Sequence, residues 1–139
     1  MSMKQFAEIL KEKGLKVTPQ RLAVYSALKN TKSHPSAEDI HKMLLTDNPS
    51  ISLATVYKTL DSFKSAGLIK ELNLCFEHSN YDADISNHQH IVCTSCRRVF
   101  DVYYTPETTM REEVEKISGF KIDEEQVVFY GTCPECAKN

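Results

Sequence analysis

Apolar residues recur at helical spacing through the first 66 positions and at strand-like spacing for much of the remainder. Phe6, Ile9 and Leu10 share one face of a first helix that stops near Gly14, where glycine suits a C-terminal cap. Thr18-Pro19 predicts the next start: threonine caps, and proline at the first helical position loses no hydrogen bond. Leu22, Tyr25 and Leu28 form the stripe of that second helix. Ser36 caps a third, with Asp39 in capping-box position and Ala37, Ile40, Met43 and Leu44 as the expected buried face. After the turn at Asn48-Pro49-Ser50, Ser52 caps a fourth helix. Leu53, Val56, Leu60 and Phe63 lie on one side of it; Ala54, Thr55, Tyr57, Lys58 and Ser62 lie on the other. Gly67 ends it, and Leu68 to Phe76 alternates as two short strands would. Three helices, a fourth helix and a strand pair are the order of a winged helix.

The pattern breaks around Tyr81 to Asn87, which places a hinge there between a domain at 1–81 and a second at 88–139. The second half alternates expected strands, His90–Cys93 and Arg98–Tyr103, with a helix from Pro106 to about Ile117. Gly119 closes that helix, and Gln126–Tyr130 is the last strand. The predicted class is therefore α+β: an N-terminal winged-helix domain and a small C-terminal α+β domain.

Bulk properties narrow the function classes. A chain of 139 residues split in two gives each half a thin core, which a metal, a disulfide or a partner subunit must supplement. No apolar run approaches the roughly 20 residues of a membrane helix, and the start, Met1 to Phe6, lacks a signal peptide's apolar core. A cytoplasmic protein without a membrane partner is expected. The net charge of −2 divides unevenly: residues 1–80 carry eleven Lys/Arg against eight Asp/Glu, and residues 81–139 carry six against eleven. A basic first half fits an anion-binding module, although ordinary surface charge explains the imbalance equally well.

Two candidate metal sites stand out. Cys93-x-x-Cys96 and Cys133-x-x-Cys136 are knuckles 36 residues apart. Each offers two thiolates to one ion, so together they complete a closed tetrahedral zinc site. Two disulfides or a redox dithiol are the alternatives, and a cytosolic setting disfavours the former. Cys75 is left over and receives no role. His88 and His90 stand two apart on an expected strand, so both imidazoles face one side. Asp82 lies six residues before His88, Asp101 a few residues past the first knuckle, and His34 in the loop before the third helix, and each is a further nitrogen or oxygen donor. Taken singly each has an ordinary explanation; the His-x-His pair beside a knuckle lifts the set above that level.

The chain resembles the ferric-uptake-regulator family over nearly its whole length. The matching stretches are Thr18-Pro19-Gln20-Arg21, HPSAEDI at 34–40, SLATVYKTL at 52–60, Gly67-Leu68, HxHxxCxxC at 88–96, Tyr130-Gly131 and the terminal knuckle. The resemblance implies a homodimeric repressor that binds a palindromic double-stranded DNA operator through the fourth helix. It implies structural zinc on Cys93, Cys96, Cys133 and Cys136, and regulatory iron or manganese on His34, Asp82, His88, His90 and Asp101. Aspartate at 101, where iron sensors carry glutamate, points to the peroxide-sensing branch, in which Fe(II) directs oxidation onto a ligand imidazole, here His34 or His88. Asn87, Gln89, Thr108 and Glu125 depart from the family's additional metal site, which is expected to be lost. Expected DNA contacts are Tyr57 to a base edge or thymine methyl, Lys58 to phosphate or guanine, Thr55 beside them, and Arg21 to phosphate. The alternative inside the family is a plain iron or manganese sensor. Outside it stand a metalloenzyme using His88, His90, Asp82 and Asp101, for which no general base or substrate pocket is apparent, and a zinc-stapled interaction module. The reading is not an enzyme.

Overall fold

The structure, a computed structural model, describes residues 2–74, 78–86, 88–104 and 109–138. The chain divides into two compact units, Met1–Ser86 and Asn87–Asn139.

The first unit holds helices α1 (Met3–Glu12), α2 (Pro19–Lys29), α3 (Ala37–Leu44) and α4 (Leu53–Ser65), followed by strands β1 (Lys70–Leu72) and β2 (Asn80–Asp82). Local chemistry sets the helix starts. Ser2, Thr18, Ser36 and Ser52 each accept a backbone N–H of the first turn, and Ser2/Gln5 and Ser36/Asp39 form reciprocal capping boxes. Gly67, just past α4, takes the left-handed conformation (φ 74°) that an L-residue adopts only with strain.

Packing closes around Phe6, Leu10, Val24, Tyr25, Leu28, Ile40, Val56, Leu60 and Phe63, all essentially inaccessible. The Tyr25 ring stands edge-on to Phe6 and Phe63, at centroid distances of 5.3 and 5.8 Å, so it ties α1, α2 and α4 together. Met43 departs from expectation: it is exposed, and the buried face of α3 is Ala37, Ile40 and Leu44. Position 43 sits at the edge of the stripe, where helical spacing alone does not separate rim from core.

The strand pair also differs from the expected one. β1 pairs antiparallel with β2, setting Lys70 opposite Asp82, Glu71 opposite Tyr81 and Leu72 opposite Asn80. The returning strand thus lies at 80–82, not within Leu68 to Phe76. Tyr81 and Asp82, expected in the hinge, belong to this hairpin, and the first unit runs on to Ser86. Three-residue strands are too short to carry an alternation signal. Cys75 and Phe76 lie outside the described residues. The Tyr81 hydroxyl donates to Glu71 across the pair at 3.3 Å. Burial first, and the Glu71 charge second, push that phenol's pKa up.

The second unit is a three-stranded sheet of order β4-β3-β5, where β3 is Gln89–Cys93, β4 Val99–Val102 and β5 Val128–Gly131. β3 runs antiparallel to β4 and parallel to β5. Between β4 and β5 lies α5 (Met110–Ser118), capped by Thr109 and ended by Gly119 at φ 75°. A last turn, α6 (Pro134–Ala137), carries the final cysteine. The expected helix start at Pro106 falls outside the described residues; the helix seen begins after Thr109, whose hydroxyl accepts the Glu112 N–H. β5 begins at Val128, two residues later than expected. Among the described residues no helix is long and apolar enough to cross a membrane.

Candidate metal centres and nucleic-acid interface

Sheet pairing builds the four-cysteine centre. Cys93 ends β3, and a tight turn, closed by Arg97 N–H to Cys93 C=O (2.8 Å) and Cys93 N–H to Arg98 C=O (3.0 Å), brings Cys96 back beside it. The parallel register sets Cys93 against Gly131, which delivers Cys133 and, through α6, Cys136 to the same point. All four sulfurs lie within 4.8 Å of one another. Cys96 Sγ and Cys133 Sγ are 4.0 Å apart. Zn–S bonds of about 2.3 Å in a tetrahedron require sulfurs about 3.8 Å apart, so the cage is near the required size.

The electrostatics favour a cation. The Cys96 and Cys133 backbone N–H groups donate to Cys93 Sγ at 3.5 and 3.4 Å, and they hold that thiol's pKa down to about 6. The Arg98 guanidinium lowers Cys96. Cys136 is instead pushed up to about 12, above all by Cys133 and then Cys93, because a further anion is disfavoured beside existing ones. A divalent ion removes that conflict and lets all four sulfurs be thiolates. Donor chemistry and spacing fit a structural zinc ion.

Within the same unit, three nitrogen and oxygen donors converge. The β3–β4 register places Asp101 opposite His90, and His88 precedes β3. Asp101 Oδ1 lies 3.2 Å from His88 Nε2 and 3.4 Å from His90 Nε2. Both imidazoles are buried, and the rings meet edge to face at 4.6 Å. Tyr103 stacks on His88 with centroids 5.1 Å apart and fixes its ring plane.

The first unit holds the other two expected donors. His34, in the loop before α3, takes a left-handed backbone (φ 55°), and its Nε2 lies 3.2 Å from Asp82 Oδ2. Strand β2 grips this loop along its length. The Asn80 amide donates to the His34 carbonyl (2.8 Å), and the Tyr81 N–H donates to the Pro35 carbonyl (3.0 Å). Such a backbone conformation costs on the order of 1–3 kcal/mol outside glycine and persists only where its surroundings enforce it. Here the hairpin holds that backbone through the two carbonyls.

On α4, Val56, Leu60 and Phe63 face the core while Tyr57 and Lys58 are exposed, Tyr57 at 41 %. Thr55 is half-buried, and its hydroxyl lies 2.9 Å from that of Ser52 in the N-cap, so it serves the helix start as much as the surface. Arg21 donates from Nη1 to the Lys16 carbonyl at 2.7 Å, which commits part of its guanidinium to the chain before α2.

Sequence reasoning missed Asn80, Tyr103, Arg98 and Glu135. Asn80 acts across 46 positions and Arg98 reaches Cys133 across 35, distances at which no local pattern signals contact. Of the four positions that depart from the family's additional metal site, Gln89 lies in β3 and Glu125 is exposed. Asn87 and Thr108 lie outside the described residues.

Residues 12–130 match the profile of the ferric uptake regulator family. The chain is 38% identical over 136 residues to the peroxide operon regulator of Bacillus subtilis, covering 98% of this chain and 94% of that one. It is 34% identical over 127 residues to the peroxide-responsive repressor PerR of Staphylococcus aureus, covering 91% and 86%. Among solved structures, the Campylobacter jejuni peroxide stress regulator superposes with a TM-score of 0.74 at 29% identity, covering 98% of this chain and 99% of its own.

Proposed function

The chain belongs to the ferric uptake regulator family, and from that premise we propose that it is a homodimeric, metal-dependent DNA-binding repressor that responds to peroxide. The observation that carries this reading is the pair of donor sets built from nitrogen and oxygen alone. His88, His90 and Asp101 converge in one unit; His34 and Asp82 pair in the other. Imidazole and carboxylate suit Fe(II) or Mn(II), while the thiolates are gathered in a separate closed site. The proposed regulatory ion takes all five donors, and its differential affinity for the DNA-competent arrangement is what it can contribute to binding. The relatives named as peroxide regulators support the signal.

Fe(II) held by these five donors would supply one-electron cleavage of peroxide, chemistry that Mn(II) in the same place would not supply. His34 and His88, both buried, would hold that ion as imidazole ligands and would be the side chains to take up the oxygen. An oxidised His34 or His88 would be a poorer ligand, and the DNA-binding arrangement would lose the support of that donor. Tyr57 and Lys58 on the exposed side of α4 are the proposed readers of the major groove, with Thr55 beside them and the remaining donors of Arg21 on phosphate. Apolar side chains left exposed in the second unit, Ile117, Phe120 and Phe129 among them, form the proposed dimer surface.

The test is retention on operator DNA with and without Mn(II), in the parent and in Asp101→Glu. Binding is expected to require Mn(II) in both. The glutamate variant should also bind Fe(II) yet respond sluggishly to peroxide, because the ligand type is kept and only its reach changes. Retention indifferent to metal in the parent removes the metal-dependent reading. An Asp101→Glu response as fast as the parent's removes the role given to the short carboxylate.

A further inference from the structure

We propose that Arg98 is a positioning residue of the four-cysteine centre, spanning its two knuckles and shielding the zinc-bound sulfurs from attack by peroxides. Its Nε donates to Cys96 Sγ at 3.4 Å, and its Nη2 reaches Cys133 Sγ at 3.8 Å. One guanidinium therefore touches one sulfur from each knuckle. The same Nη2 donates to Glu135 Oε2 at 2.8 Å, and Glu135 sits between the cysteines of the second knuckle. From below, the charge lies 5.4 Å from the centre of the Phe100 ring. Its backbone is fixed as well, since the Arg98 carbonyl closes the turn of the first knuckle.

Four thiolates around Zn²⁺ carry a net charge of −2, and an adjacent guanidinium halves it. A sulfur lone pair engaged by N–H is less available to an electrophile, so the contact slows chemistry at sulfur without changing the ligand set. The exposed Arg98–Glu135 ion pair adds little stability alone. Its contribution is to hold the planar group across the knuckles. The reaction resisted is the oxidation of two thiolates by one peroxide. Each sulfur gives up one electron and an S–S bond forms; the O–O bond breaks, two protons are taken up, and two waters (for hydrogen peroxide) and Zn²⁺ leave. The proposal is independent of the histidine-based response, because it concerns the thiolate centre alone.

The experiment uses the full chain carrying zinc only, so that no iron is present, treated with hydrogen peroxide while a metallochromic dye reports released Zn²⁺. Arg98→Ala should release zinc about three- to tenfold faster than the parent, a range set by charged hydrogen bonds at a partly exposed site. Arg98→Lys should restore part of the protection, since it returns the charge without the fork. Glu135→Gln, which leaves the guanidinium in place but less firmly held, should fall between parent and alanine variant. In Co(II)-substituted protein, Arg98→Ala should move the sulfur-to-metal charge-transfer band to lower energy, a shift that a purely structural role does not produce. Parent-like release and an unmoved band in Arg98→Ala overturn the proposal. If that variant does not retain metal, parent-like release in both Arg98→Lys and Glu135→Gln overturns it, and faster release in either supports it.

Discussion

The first unit buries Leu10, Val24, Tyr25, Ile40, Val56, Leu60, Phe63 and Leu74 almost completely, whereas the buried residues described in the second are His88, His90, Val92, Cys93 and Cys133. Four of those five are candidate metal ligands. Helix α5 buries none of its side chains, and Ile117 next to its end is 87 % exposed. The two halves of one chain are thus held by different forces. Hydrophobic packing suffices for a helical unit of some eighty residues. A fifty-residue sheet cannot enclose enough apolar surface by itself, and it relies on a metal staple and on a surface left for a partner.

Removing one thiolate is the largest way to break the comparison. Cys96→Ser should lose zinc and with it apparent binding free energy on the order of 10 kcal/mol. The second unit should then unfold or become monomeric, while helical circular dichroism from the first unit survives. A Cys96→Ser protein that remains a folded, metal-responsive dimer breaks the staple argument. The converse change sits in the apolar core. Phe63→Ala removes a ring from the α1–α2–α4 junction and should cost about 3–5 kcal/mol of first-unit stability. Zinc content should stay at parent level, as measured by metal analysis beside thermal unfolding. A smaller effect is expected on the opposite side of the same helix: Tyr57→Ala should weaken operator binding by about 1–3 kcal/mol, with neither zinc nor stability altered. Unchanged operator affinity removes Tyr57 from the interface.

Legibility in the sequence followed the range of the interactions. Helix starts at Thr18, Ser36 and Ser52 were readable because each capping hydroxyl accepts a backbone N–H only three residues on. The cysteine site was readable because each knuckle is local and pairs with its own kind. Strand β2 was missed because three residues carry no period, and its partner lies ten positions away. Residue spacing also gave no reason to join His34 to Asp82; their place in one ligand set came only from the family resemblance. The Asn80 amide on the His34 carbonyl was invisible for the same reason.

The central claim is that His34 and His88 are the chemical sensors while the cysteines are a staple. Protein loaded with Zn²⁺ and either Fe(II) or Mn(II) should be given the same low dose of peroxide, then assayed for operator binding and digested for mass spectrometry. The account predicts that only the iron form releases DNA, with one oxygen added to the peptide carrying His34 or His88 and with Cys93, Cys96, Cys133 and Cys136 unmodified. Unmodified histidines in DNA-released, iron-loaded protein, or an equal response with manganese, would contradict it.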